Sequence, residues 1–179
     1  MNILINKGNT INKPYLTVSV LGKSLKLEIK YRNHPMVELD QSEDSVKLYL
    51  PKKYKIMEKT MIANMAIERM YDEIAETEID NAMEEARLIL GFAPEDYKIE
   101  RMSKIFYKCE KNKTIVINPD IVKYNRRIIE TTMIQAFCKV EYKKNSKAYK
   151  DALLLGIEKY ENYKYRLIKS NNKIKEKAV

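Results

Sequence analysis

Apolar and polar residues alternate with period two near the start of the chain, then shift to a three-to-four residue period, and each change predicts a new kind of element. Residues 15–21 (Tyr-Leu-Thr-Val-Ser-Val-Leu) read as a strand, Gly22-Lys23 as a turn, and 25–31 (Leu-Lys-Leu-Glu-Ile-Lys-Tyr) as a second strand. Residues 36–40 and 45–50 give two more, joined by a polar turn over Gln41–Asp44, and Pro51 closes an antiparallel sheet. From Lys55 to about Leu90, Ile56, Met57, Thr60, Met61, Met65, Ile67, Met70 and Ile74 recur at helical spacing without Gly or Pro. This predicts one long helix, or two with a break near Ala75–Thr77, and Gly91 fits its C-terminal stop. Met57, Met61, Met65, Met70 and Met83 read first as adaptable core filling.

Short strands follow at 98–101, 105–109 and 114–117, with a polar hairpin turn over Glu110–Lys113. Pro119 suits a first helical turn. Residues 126–142 predict a second major helix, because Ile129, Met133, Ala136, Phe137 and Val140 fall on one stripe. Lys143–Asn145 reads as a loop and Ser146 as the N-cap of a further helix to about Leu155. The fold class is therefore α+β. An N-terminal antiparallel sheet (1–54) precedes a long helical segment (55–97), then a core of short sheet and helices (98–169) and a flexible tail (170–179), all in one compact domain.

Composition narrows the class. Hydrophobic residues at 45% are enough for a core, and 4 Gly and 5 Pro fit long helices. No run of about 18 apolar residues predicts a membrane span, and residues 1–12 lack a secretory signal. Cys109 and Cys138 make no disulfide framework and read as reduced thiols of a cytoplasmic protein. Abundant Lys, Ile, Asn and Tyr match A/T-rich codons, as in an A/T-rich bacterial genome or that of a phage, plasmid or other mobile element. The net charge of +9 is uneven: residues 1–97 sum to −3 and residues 98–179 to +12. Such a charge split suits a polyanion on one side or a basic partner on the other, or simply two solvated faces.

Residues 114–150 contain Thr-Ile-Val-Ile-Asn-Pro, then Gln135-Ala136-Phe137-Cys138-Lys139, Tyr142 and Asn145-Ser146-Lys147. This stretch resembles the YgjP-like, SprT-related zinc metallopeptidase domain, in which a helix bearing His-Glu-Leu-Cys-His is followed by a Tyr and an Asn-His-Ser-Lys segment. The resemblance extends over roughly 25–168 and implies a zincin-like core. It places the family's two helix histidines on Gln135 and Lys139, its catalytic Glu on Ala136, and its third His on Asn145. Cys138 and Tyr142 fall on the family's own Cys and Tyr, and Cys109 on the Cys of its Trp-Gly-Ser-Cys turn, read here as Phe106-Tyr107-Lys108-Cys109.

The chemistry of those substitutions follows without the family. A zincin needs two imidazoles at i and i+4, a third ligand and a carboxylate that activates water. Gln is a poor zinc ligand, protonated Lys repels a dication, and Ala136 has no proton to move. His34 is the one histidine in the chain, and a three-ligand site would need it to converge with Cys109 and Cys138. No metal, cofactor or catalytic residue is expected.

Two binding modes remain open, and either can coexist with a surface that only solvates the fold. The degenerate cleft, lined by Gln135, Lys139, Asn145, Tyr142 and Tyr149, can hold a protein or nucleoprotein partner. Alternatively, nucleic acid can lie on Lys123, Arg126, Arg127, Lys139, Lys143, Lys144, Lys147 and Lys150, with Tyr124, Tyr142 and Tyr149 stacking on bases. A mobile-element inhibitor of a host defence complex, such as a CRISPR effector, joins the two. The Met-rich helix is compatible with a monomer or with self-association.

Overall fold

A computed structural model describes residues 4–5, 16–55 and 59–177, with side chains over 16–54 and 61–169. The chain divides into two compact units. The first holds residues 1–77 and 119–126, the second 78–118 and 127–179. No helix among the described residues is long and apolar enough to cross a membrane.

The first unit is built on a five-stranded sheet of β1 (Leu4–Ile5), β2 (Leu16–Val20), β3 (Lys23–Arg32), β4 (Glu38–Gln41) and β5 (Ser45–Pro51). Its order is β1-β2-β3-β5-β4. The expected strands are present, but the sheet is mixed: β3 and β5 run parallel, and β4 pairs antiparallel with β5 at the edge. Burial explains this order. Val46, Leu48 and Leu50 of β5 are fully buried, so β5 takes a central place. Glu38, Asp40 and Gln41 of β4 are exposed and polar, which suits an edge strand.

The helix α1 (Lys59–Leu90) is continuous, with no break at 75–77. Its first half lays Ala63, Ile67, Met70 and Tyr71 into the first unit's core, and the Tyr71 hydroxyl donates to the Ser19 carbonyl at 2.8 Å. The methionines divide. Met70 and Met83 are buried as core residues, whereas Met61 and Met65 are exposed; Ile56 and Met57 lie outside the described residues. A 3-10 turn at Pro119–Lys123 also belongs to the first unit. The Leu21 and Gly22 amides of the β2–β3 turn donate to the Val122 and Lys123 carbonyls at 2.7 and 3.2 Å.

The second unit begins with the C-terminal part of α1, which Gly91 ends. Gly91 takes a left-handed φ of 79° and its amide closes on the Arg87 carbonyl at 2.9 Å. A three-stranded sheet follows, made of β6 (Asp96–Ile99), β7 (Tyr107–Cys109) and β8 (Thr114–Ile117), with β8 central and fully buried. Asn118 pins the loop before β7: its side-chain amide donates to the Met102 and Ile105 carbonyls at 2.7 and 3.0 Å.

Two helices complete the unit, α2 (Arg126–Glu141), whose first residue still belongs to the first unit, and α3 (Lys147–Lys177). The expected apolar stripe of α2 is present, with Ile129, Met133, Ala136 and Phe137 buried. Ser146 caps α3 as expected, its hydroxyl accepting from the Tyr149 amide at 3.1 Å. However, α3 runs far past Leu155, because residues 156–177 contain no proline and Gly156 is accommodated within the helix. The flexible tail expected at 170–179 falls on residues whose side chains, and at 178–179 whose backbone, lie outside the description.

Gly156 lets α3 approach closely, since a Cβ there would meet Leu90 Cδ2 at 2.9 Å and Ile134 Cγ2 at 3.0 Å. A polar cluster joins the same three helices. Lys164 Nζ lies 2.8 Å from both Glu85 and Glu130, and the Tyr160 hydroxyl donates to Glu130 at 2.6 Å. Burial pulls the Lys164 ammonium down, but its hydrogen bonds to Glu130 and Glu85 outweigh this and hold it above its ordinary value.

Candidate functional site

The residues singled out on α2 share one neighbourhood with β7 and the start of α3. Helical spacing sends Ala136, Phe137 and Cys138 inward, where all three are buried. Gln135 is left exposed and Lys139 half-buried, one turn apart on the other face. The Gln135 side chain lies near enough to the Tyr149 hydroxyl to favour its ionised form. Lys139 Nζ lies 4.9 Å from the centre of the Tyr107 ring, a cation–π contact. Cys109 donates weakly to the Ala136 carbonyl, with the sulfur 3.9 Å away. The side chains that stand at i and i+4 are thus each engaged by a tyrosine.

The electrostatics of this cluster oppose nucleophilic chemistry. Burial pushes the Cys109 thiol up, and Lys139 offsets this only in part. Burial also raises Cys138. Both thiols therefore stay protonated near neutral pH, and neither offers a thiolate. Burial raises the Tyr107 phenol, with Tyr149, Cys109 and Cys138 adding to the effect. Burial likewise raises Tyr149, with Cys138 adding, while Gln135 acts in the other direction.

The other candidates divide by position. Lys143, Lys144 and Asn145 are exposed on the α2–α3 loop, where Asn145 adopts a left-handed φ of 66°. Lys147 and Lys150 are exposed on the first turn of α3, and Tyr149 is half-buried among them. Tyr142 is directed elsewhere, packing edge-on against Phe92 with ring centres 6.1 Å apart. Arg127 reaches along α3 to Glu161 at 2.6 Å. Lys123 and Arg126 belong to the first unit. There Lys123 pairs with Asp120 at 2.7 Å and lies over the Tyr71 ring, and Arg126 borders a groove with Lys23 and Glu43. Tyr107 also belongs to this neighbourhood, and the sequence marks it only through the Phe106-Tyr107-Lys108-Cys109 stretch.

The chain matches the model of the YgjP-like metallopeptidase domain over residues 7–169. It belongs to the YgjP-like family. No curated protein and no solved structure matches it.

Within the YgjP-like family this is a degenerate member. At Gln135, Ala136 and Lys139, where the resemblance places the family's zinc ligands and general base, the α2 side chains offer no imidazole and no carboxylate. These side chains do not fit zinc. Gln135 is a neutral amide, Lys139 brings a positive charge, and Ala136 cannot act as a general base. Among the described residues no three His, Cys, Asp or Glu side chains are grouped so as to hold a metal ion. His34 sits in the first unit, 3.2 Å from Glu38.

Proposed function

We propose that this YgjP-like protein acts by binding, and that its partner is a nucleic acid or a nucleoprotein held at the α2–α3 corner. The observation that carries this reading is the exposure of Lys143, Lys144, Lys147 and Lys150 around the half-buried Tyr149. Four ammonium groups on flexible stems suit phosphate oxygens, which they contact as point charges. The Tyr149 and Tyr107 rings offer flat apolar surfaces beside them, of the kind on which unpaired bases stack. The replaced ligand positions suit the same role. Lys139 contributes charge where a bound dication would stand in a working member, and Gln135 lies beside Tyr149.

The test is an electrophoretic mobility shift with single-stranded and duplex oligonucleotides at two salt concentrations. About four phosphate contacts should weaken binding roughly 100-fold between about 50 and 200 mM salt. The K143E/K144E/K147E/K150E variant should lose the shift while keeping its far-UV circular dichroism, because all four side chains are exposed. A shift that is indifferent to salt, or that survives in this variant, would exclude the α2–α3 corner as the interface.

A further inference from the structure

The first unit holds an open groove of about 630 Å³ between the β3–β4 connection and α1. Met36 and Val37 line one wall, and Met61, Met65 and Met70 line the other. Much of this lining faces solvent: Met36 is 67% exposed, Met61 52% and Met65 63%. Methionine side chains are unbranched and reshape around irregular guests, so a Met-lined groove suits an inserted side-chain ridge. The exposed stripe of α1 that begins with Met61 and Met65 continues through Arg69, Asp72, Glu73 and Glu76. Arg69 and Glu73 pair at 3.0 Å, and the four together carry a formal charge of −2. The groove is therefore apolar at one end and acidic along its extension, and it calls for a guest that is apolar on one stripe and basic on the next.

The chain carries such a guest. In α3 every residue from Tyr165 to Lys169 is exposed. Tyr165 and Ile168 are the most open apolar side chains of this stretch. Tyr165 is 66% exposed, Ile168 63% and Leu167 38%. Tyr165 and Ile168 stand three residues apart on one stripe, and Arg166 and Lys169 stand three apart on the neighbouring stripe.

We propose that the Met-lined groove of one copy receives the Tyr165–Lys169 stretch of α3 of a second copy. Tyr165 and Ile168 enter between Met36, Met61 and Met65. Arg166 and Lys169 lie along Asp72 and Glu76. The contact is heterologous, one surface meeting a different one, so it closes into a dimer or small ring, or extends into a chain. None of its residues belongs to the α2–α3 corner, so it stands or falls separately from nucleic-acid binding.

Sedimentation velocity of the full chain over a range of concentrations tests this. The wild type should pass from monomer to assembled species as concentration rises, and more weakly at high salt. M61E/M65E and Y165E/I168E should each stay monomeric with unchanged circular dichroism. D72K/E76K and R166E/K169E should each weaken assembly by roughly tenfold or more, and the two combined in one chain should restore it. A wild type that stays monomeric throughout would overturn the proposal, including one that takes only a basic helix from another protein. So would a charge swap that fails to restore assembly.

Discussion

Phe137→Ala is expected to destabilise the second unit by about 3–5 kcal/mol, the range for removing a fully buried aromatic ring. Phe137 is 1% exposed, and its ring centre lies 6.4 Å from that of Phe92. Its neighbours Met133, Ala136 and Cys138 are fully buried, so the cavity has little freedom to collapse. Gln135→Ala and Lys139→Ala, on the opposite face of the same helix, should cost about 1 kcal/mol or less, since each loses one partly solvated contact. Chemical denaturation, with amide exchange followed segment by segment, measures all three. The contrast separates the two faces of the helix: its inward residues hold the fold, and Gln135 and Lys139 contribute little to it. Equal losses at 135, 137 and 139 would contradict that division.

Gly22→Ala should be the most damaging small substitution in the first unit. Gly22 has a left-handed φ of 80°, where a side chain costs about 1–2 kcal/mol. A Cβ would also stand 2.8 Å from Asn125 Cβ and 3.1 Å from its backbone nitrogen. That backbone is fixed by the turn's hydrogen bonds to Val122 and Lys123, so relief requires moving the 3-10 turn, at about 1–3 kcal/mol more. Gly91→Ala separates the two effects. Its φ is 79°, yet nothing lies within 4 Å of the added Cβ, so it should show the backbone cost alone. Equal midpoint shifts for the two variants would mean that the Asn125 contact carries no strain.

Much of this architecture is legible in the sequence because it is local. Period-two alternation locates β2, β3 and β5 to within a few residues. The stripe from Ile129 to Phe137 locates α2, and Ser146 and Gly91 mark helix ends through the hydrogen bonds they make. That Gln135, Ala136, Lys139 and Asn145 offer no imidazole and no carboxylate is also plain, since a side chain's donor atoms are a property of its type. What escapes is non-local. Alternation shows that 25–31 and 45–50 are strands but not that they lie side by side in parallel, which depends on how deeply Val46, Leu48 and Leu50 are buried. The spacing of Met61, Met65 and Met70 fits a helix, yet it does not say that Met70 enters the core while the other two remain open to solvent. The engagement of Lys139 by Tyr107 joins residues thirty-two positions apart in sequence and becomes visible only once β7 lies against α2.

The central claim is that this YgjP-like fold has given up its metal. Elemental analysis of the purified chain, after incubation with zinc and removal of the excess, tests it most directly. A chain whose helix offers Gln135 and Lys139 in place of imidazoles should retain only background zinc. One equivalent of zinc per chain, retained against a weak chelator and lost on Lys139→Ala, would contradict the account.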